Sequence, residues 1–184
     1  MKCPVCKEEN FESKEIEPNL FAEVCSKCLG KWISSDNYNR WLAGLEGRLP
    51  EIPSSDEAAF TIREFELAKL CPQCRRILVK YKIGRNIAFK IDRCGNCAGV
   101  WLDSDEWATL RSRNLHDELN KVFTDHWQEE VKKEETRQAL EKIYAEKFGE
   151  DDYRKIKDFK TWIEQHEKSS EIKAFIRDKN PLQF

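Results

Sequence analysis

The sequence has few of the features that mark membrane proteins or enzymes. No apolar run approaches the roughly 20 residues that cross a bilayer, so we expect no transmembrane segment. We also expect no secretory leader, which favours reduced cysteines and a cytoplasmic location. The sequence shows no glycine-rich phosphate loop and no matched set of nucleophile, base and orienting residue. We therefore predict that the protein is not an enzyme and has no catalytic residues.

The sequence also has few histidines and a small net charge. The three histidines, His116, His126 and His166, have no ligand-like spacing, which argues against a histidine-containing open zinc site of the kind that hydrolytic enzymes use. We expect them at surface or boundary positions. The formal net charge is −2, so the whole chain does not have the strongly basic character of a general nucleic-acid binder.

Cysteine, by contrast, is abundant and regularly placed. The eight cysteines occur only as Cys-x-x-Cys pairs, and 18 or 19 residues separate the first pair from the second in each half of the pattern. Two such turns joined by a hairpin offer four thiolates in the tetrahedral arrangement that zinc accepts. A disulfide framework is less suitable, because the chain is longer than the small secreted domains that need one. We predict two Zn²⁺ ions per chain, one bound by Cys3, Cys6, Cys25 and Cys28, the other by Cys71, Cys74, Cys94 and Cys97.

The two halves of the cysteine pattern are copies of each other. Each begins with Cys-Pro-x-Cys, and each second pair is followed by a glycine and a tryptophan, which are Gly30 and Trp32 in the first half and Gly99 and Trp101 in the second. The matching residues are offset by 68 positions in the first pair and by 69 in the second. This repetition indicates an internal duplication. Gly99 also suits a position with positive φ.

The stretch from Cys71 to Glu106 resembles the small zinc-ribbon family named after the zinc-binding domain of transcription factor IIB. The family pattern is a Cys-Pro-x-Cys pair, a hairpin, and Cys-x-x-Cys-x-Gly-x-Trp-Leu-Asp followed by an acidic residue that opens a helix. The first copy departs from this pattern after Trp32, because Ser34 stands where the second copy has Asp103. The resemblance implies a zinc ribbon in each half. It does not define a function. Iron is the alternative metal, since rubredoxin-like knuckles also use Cys-Pro-x-Cys.

The predicted fold is a small metal-stabilised α+β protein with two tandem zinc ribbons, each a β-hairpin plus a following helix, and an all-α C-terminal region. Two ribbons of about 40 residues are too small to share one large core. We therefore expect each ribbon to depend on its own metal for folding. The expected domains are zinc ribbon 1 at 1–44, a linker with a possible short helix at 45–68, zinc ribbon 2 at 69–110 and a helical region at 111–184.

Residues near the end of each ribbon have predicted structural roles. Asp103 and Glu106 match a capping box, and acids in the first turn of a helix interact favourably with its dipole. We prefer this interpretation to a catalytic acid cluster. Packing is likewise preferred to ligand stacking for the tryptophans close to the ribbons, which are Trp32, Trp41, Trp101 and Trp107.

The C-terminal region has helical periodicity. Apolar residues at three- and four-residue steps from Leu115 to Phe148 predict one long amphipathic helix or two in succession. Gly149 is expected to end it, and two shorter helices follow. The apolar stripes either pack against one another in a local bundle or dock on another protein.

The hairpin of the second ribbon is basic. From Lys69 to Arg93 there are eight lysines or arginines and one acid, Asp92. Alternation along the hairpin predicts one apolar face, which includes Ile77 and Val79, and one basic face. The basic residues either contact nucleic-acid phosphates or form a solvated face that partly offsets the charge of the zinc-thiolate cluster. The candidate nucleic-acid-binding residues are Lys80, Lys82, Arg85 and Lys90.

Together these features predict a non-enzymatic zinc-binding interaction protein, an adaptor or accessory factor of a larger macromolecular complex. We expect a protein partner, with nucleic acid as a second partner through ribbon 2, no membrane insertion and no small-molecule substrate. The alternative is a nucleic-acid-binding factor related to transcription or RNA. Thiol-redox or holdase activity is a further alternative, but the zinc-ribbon context of all four pairs favours metal binding.

Overall fold

The computed structural model describes residues 1–45, 47, 68–84 and 89–178. The linker predicted at 45–68, with its possible short helix, falls almost wholly outside these residues, as do Arg85 and most of the hairpin tip. The chain divides into two compact units, Met1–Lys132 and Lys133–Phe184.

The first unit contains one six-stranded antiparallel sheet. Its strands are β1 (Phe11–Glu17), β2 (Leu20–Cys25), β3 (Lys31–Ile33), β4 (Leu78–Lys82), β5 (Lys90–Cys94) and β6 (Val100–Leu102). Their order in the sheet is β1-β2-β3-β6-β5-β4, so each ribbon supplies three neighbouring strands. The two ribbons therefore meet where β3 pairs with β6.

The pairing of β3 with β6 relates the ribbons by an approximate two-fold axis. Trp32 lies opposite its own counterpart, Trp101, and Lys31 lies opposite Leu102. This is the self-complementary arrangement of a symmetric dimer, here formed within one chain. Duplication thus supplies two copies of an edge strand that pair with each other, which removes both edges from solvent.

The two faces of the sheet have different coverings. Residues paired across antiparallel strands share a face, so the register places Trp32, Trp101 and Asp92 on one side. The other side packs against α1 (Ser35–Ala43), α2 (Glu106–Ser112) and α3 (Leu119–Val122). The core on this helical side draws on both ribbons, through Leu20, Ala22, Ile33, Tyr38, Trp41, Ile83, Phe89, Ile91, Val100, Leu102, Trp107, Leu110, Leu119, Val122 and Phe123.

This shared core differs from the expectation that two small ribbons would not share one. A single ribbon is too small for a large core, but pairing doubles the sheet and lets one set of helices cover it. A hydrogen bond also crosses the core, because the Tyr38 hydroxyl of α1 donates to the backbone oxygen of His116 at 2.8 Å. His116 is buried between the rings of Trp41 and Trp107, and so it is not the surface or boundary residue that we expected.

The apolar face predicted for the second hairpin is only partly correct. Ile83 and Ile91 are buried in the helical-side core, but Ile77 and Val79 are 64% and 49% exposed. Leu78, between them, is buried on the opposite face with the cysteines. The alternation fails here because β4 is the outermost strand and the sheet buries side chains on both faces.

The tryptophans near the ribbons are buried, as predicted, but two of them cross between ribbons. The indole of Trp32 lies against Gly99, and that of Trp101 lies against Gly30. A Cβ atom added to either glycine would overlap the Cζ2 atom of the facing indole. The glycines are therefore required for close approach. Positive φ occurs instead at the preceding residues, Leu29 and Ala98.

The second unit is helical. It contains the end of α4 (Asp125–Phe148), then α5 (Glu150–Gln165) and α6 (Ser169–Arg177). Gly149, with φ of 83°, separates α4 from α5, as the sequence predicted. Of the two alternatives predicted between Leu115 and Phe148, the structure has two helices in succession, α3 followed by α4. None of the described helices combines the length and apolar character needed to cross a membrane.

We predict that Gly99→Ala lowers the free energy of unfolding by about 1–3 kcal/mol, because its methyl group displaces the Trp32 indole from the joint between ribbons. Gly95→Ala is the matched control, since no heavy atom within 4 Å would meet its Cβ. Denaturant unfolding of the zinc-loaded protein measures both. Equal effects of the two substitutions would contradict the proposed close contact.

Candidate metal centres

Two clusters of four cysteines lie on the sheet face opposite the helices. One contains Cys3, Cys6, Cys25 and Cys28, the other Cys71, Cys74, Cys94 and Cys97, and within each cluster all Sγ atoms lie within 4.8 Å of one another. Zinc–sulfur bonds of about 2.3 Å imply sulfur–sulfur separations of about 3.8 Å in a tetrahedron. The two clusters therefore fit the predicted zinc sites, with each set of ligands kept within one repeat.

The sulfur separations are similar in the two clusters. In the first, Cys3 and Cys28 are 3.5 Å apart and Cys6 and Cys25 are 3.4 Å apart. The matching pairs of the second cluster are 3.5 and 3.3 Å apart. An all-thiolate set of this kind selects zinc or iron over hard cations such as magnesium.

The backbone of each ligand turn is repeated as well. After the first pair, the N–H of Lys7 donates to the Cys3 carbonyl at 3.1 Å, and the N–H of Arg75 donates to the Cys71 carbonyl at 3.0 Å. Both donors adopt positive φ, 64° and 65°. The chain thereby turns back sharply after the second ligand, and this brings both sulfurs of the pair to the same side.

In each ribbon, hydrogen bonds join the second cysteine pair to the glycine that follows it. The N–H of Cys25 donates to the Gly30 carbonyl, and the N–H of Cys94 donates to the Gly99 carbonyl, each at 2.9 Å. The same glycines donate their own N–H groups to the sulfurs of Cys28 and Cys97. Duplication thus extends from the sequence to individual hydrogen bonds.

Backbone donors determine how easily some of the thiols ionise. The Arg76 N–H, which bonds to the Cys74 sulfur, is the main reason why the pKa of that thiol is lowered to about 6. Burial raises the pKa of Cys71 above its ordinary range. Metal binding must therefore displace protons from the more buried thiols, which makes the affinity dependent on pH.

A buried ionic cluster adjoins the second site. The Lys69 ammonium, 3% exposed, donates to Asp92 Oδ2 and Asp103 Oδ2, both at 2.7 Å. The other oxygen of Asp103 accepts from Trp101 Nε1 at 2.8 Å. The Asp103 side chain therefore does not cap α2; it links the indole that reaches the other ribbon to a buried cation.

Glu106 completes this cluster, and it makes one of the two hydrogen bonds of the predicted capping box. The other is absent, because the Asp103 side chain bonds to Trp101 and Lys69 instead of a backbone N–H of α2. Its carboxylate accepts from the backbone N–H of Asp103 at 2.9 Å. Burial, together with the neighbouring charge of Asp103, raises the pKa of Glu106 to about 8. Sequence reasoning missed the roles of Lys69 and Asp92 because it counted Lys69 with the basic hairpin. Their one signal was that Asp92 is the only acid in that stretch.

Three of the candidate nucleic-acid-binding residues lie on the second hairpin. Lys80 and Lys82 are on β4, Lys90 is on β5, and all three are half-buried. Lys82 pairs with Lys90 in the register, whereas Lys80 pairs with Asp92. The Gln128 amide bonds to the backbone of Lys82 twice: its Oε1 accepts from the Lys82 N–H at 3.2 Å, and its Nε2 donates to the Lys82 carbonyl at 2.7 Å. The nucleic-acid role of these residues stays a prediction.

The remaining basic residues of this stretch have different surroundings. The Arg93 guanidinium lies over the Phe123 ring, 4.8 Å from its centroid, on the helical face of the sheet. Arg75 and Arg76 are exposed beside the ligand turn. Arg85 is outside the described residues.

We predict that fully reduced protein contains two zinc ions per chain by elemental analysis. Acidification should release both ions, because protons compete with the metal for the thiolates. A value of one or none at neutral pH would contradict the assignment. A coloured preparation would indicate ferric iron, since zinc tetrathiolate sites are colourless.

Residues 70–113 match the family model described as Transcription factor zinc-finger. No curated protein and no solved structure matches the chain. The match covers the second ribbon, and the first ribbon repeats its four-cysteine cluster and its turn hydrogen bonds. Residues 70–113 are therefore a zinc ribbon of the transcription factor IIB type, and the Cys3–Cys28 cluster supports a second one in the same chain.

Proposed function

We propose that the protein is a non-enzymatic, zinc-stabilised adaptor whose second unit binds another protein. The observation that carries this proposal is the exposed apolar surface of that unit. Ile163 is its one buried residue among those described. Large apolar side chains that are 42–58% exposed are Leu140, Ile143, Tyr144, Phe148, Ile156, Phe159, Trp162, Phe175 and Ile176.

The arrangement of these side chains suits a protein partner. On α4, Leu140, Ile143 and Tyr144 recur at three- and four-residue steps and so share one side of the helix. Tyr144 stacks on Phe148, and Phe159 stacks on Trp162, with ring centroids 5.7 Å apart in both pairs. Aromatic residues are common anchors of protein interfaces, where they fill pockets of the partner.

The metal sites support a scaffolding role for the first unit. A site closed by four thiolates is typical of structural zinc, whereas catalytic zinc keeps one position for water or substrate. In each cluster two cysteines are buried and two are half-buried; the buried ones are Cys3, Cys25, Cys71 and Cys94. Zinc would therefore stabilise the unit.

The adaptor proposal predicts that Phe159→Ser combined with Trp162→Ser removes protein partners. Ile77→Ser combined with Val79→Ser is the matched control, because it also removes two exposed apolar side chains, but from the first unit. Affinity purification with quantitative mass spectrometry compares both variants with the wild type, with and without nuclease. Loss of these two aromatic side chains should lower the affinity for a direct protein partner at least about 10-fold.

Both variants should keep two zinc ions, which shows that the first unit folds, and the wild-type helical circular-dichroism signal, which shows that the second unit does. The adaptor proposal would be contradicted if the Phe159 and Trp162 variant recovered its protein partners in the same amounts as the control variant. Partners lost only after nuclease treatment would favour the second candidate function.

That second candidate is direct binding of nucleic acid by the hairpin of ribbon 2. Its support is the excess of basic residues over acids between Lys69 and Arg93, and the register that sets Lys82 opposite Lys90. Phosphates are attracted to a surface on which basic side chains are concentrated. The burial of Lys69 and the contact of Arg93 with Phe123 reduce the number of cations that remain for phosphates.

This candidate predicts salt-sensitive binding to DNA or RNA that depends on the hairpin. Affinity should fall by roughly one unit of log-log slope for each phosphate contacted. Reversal to Glu at Lys80, Lys82, Arg85 and Lys90 should abolish binding. The control reverses four exposed lysines of the second unit, Lys155, Lys160, Lys168 and Lys173. Absence of binding by the wild type at low salt, or equal effects of both reversals, would contradict this candidate.

A further inference from the structure

We propose that each ribbon's tryptophan is a positioning residue for the metal site of the opposite ribbon, and that Trp101 is the more firmly held of the two. Metal retention at each zinc site then depends on the opposite ribbon, so the two sites are not independent. Both tryptophans lie outside the ligand sets, and this role does not depend on whether the second unit binds a protein.

The first step is the contact of Trp101 with the first ribbon. Its indole lies against Gly30, where a side chain of any size would overlap it. Gly30 touches two ligands of the first site, since its N–H donates to the Cys28 sulfur and its carbonyl accepts from the Cys25 N–H at 2.9 Å. A shift of the Trp101 ring therefore moves the peptide group that orients a metal-binding sulfur.

The same chain of contacts runs in the other direction. The Trp32 indole lies against Gly99, whose N–H donates to the Cys97 sulfur and whose carbonyl accepts from the Cys94 N–H at 2.9 Å. One buried cluster joins both sites and both indoles, consisting of Cys3, Cys25, Trp32, Cys71, Leu78, Cys94 and Trp101. Groups that hold metal ligands in position commonly change metal affinity when they are altered.

The two directions differ in how the indole is held. Trp101 donates to Asp103, which also accepts from the buried Lys69, so its ring orientation is tied to an ionic cluster of the second ribbon. The counterpart of Asp103 in the first ribbon is Ser34, whose hydroxyl instead accepts from the Asn37 N–H at 3.2 Å to cap α1. The second ribbon, through Trp101, thus holds the first metal site more rigidly than the first ribbon, through Trp32, holds the second.

The test uses full-length protein loaded with ¹¹³Cd²⁺ in place of zinc. Each four-thiolate site gives its own ¹¹³Cd resonance, assigned to a ribbon through coupling to cysteine β protons. Decay of each resonance after addition of EDTA then gives a separate rate of metal loss for each site. Trp101→Phe and Trp32→Phe are compared with the wild type, because phenylalanine keeps an aromatic side chain and disturbs folding less than removal of the ring.

We expect a crossed pattern. Trp101→Phe, a change in ribbon 2, should speed metal loss from the Cys3, Cys6, Cys25 and Cys28 site by about 10-fold, and its own site should respond less. Trp32→Phe should act mainly on the second site, with a smaller effect. The proposal is overturned if each substitution acts mainly on its own ribbon's site, acts equally on both, or changes neither.

A second pair of variants keeps both indoles and alters the support of one. Asp103→Asn weakens the link between Trp101 and Lys69, whereas Asp105→Asn changes an exposed carboxylate two residues away and is the matched control. Asp103→Asn should speed metal loss from the first ribbon's site, and Asp105→Asn should leave both rates unchanged. Equal rates of metal loss in these two variants would contradict the claim that the ionic cluster holds Trp101 in position.

Discussion

The pairing of β3 with β6 is the interaction on which the rest of the first unit depends. It joins two three-stranded ribbons into one sheet and places Trp32 opposite Trp101. The paired sheet then presents one face that the helices cover and another on which the cysteine clusters lie. Each indole reaches across the joint to a glycine beside the other ribbon's ligands, and neither glycine has room for a side chain. Sheet, core and metal sites are consequently parts of a single arrangement.

Much of the local structure could be predicted from the sequence, because it is set by short-range chemistry. The ligand sets, the ribbon repeat, the capping bond of Glu106 and the break at Gly149 all depend on residues close in the chain. The relation between the ribbons depends on contacts between residues about 70 positions apart, and neither spacing nor periodicity shows whether two copies of a motif face each other. For the same reason Gly99 suggested a turn conformation, while its real constraint is the indole from the other ribbon.

The ionic cluster shows a second limit of sequence reasoning. Lys69 belongs by composition to a basic hairpin, yet two carboxylates surround its ammonium in the interior. A buried cation of this kind is costly to leave unpaired, which makes its partners part of the fold. The hairpin is correspondingly less basic at its surface than its composition indicates. The second unit, where large apolar side chains stay exposed, is the stronger basis for a binding function.

The most direct test of this account is the state of the first ribbon when the second site is broken. Cys94→Ser removes one ligand from the second site and leaves every residue of the first ribbon intact. If the ribbons form one unit, zinc analysis should find less than one ion per chain after mild chelation, and the amide resonances of residues 3–33 should lose their dispersion together with those of the second ribbon. One retained zinc ion and an unchanged spectrum for residues 3–33 would contradict the account, since the ribbons would then fold independently.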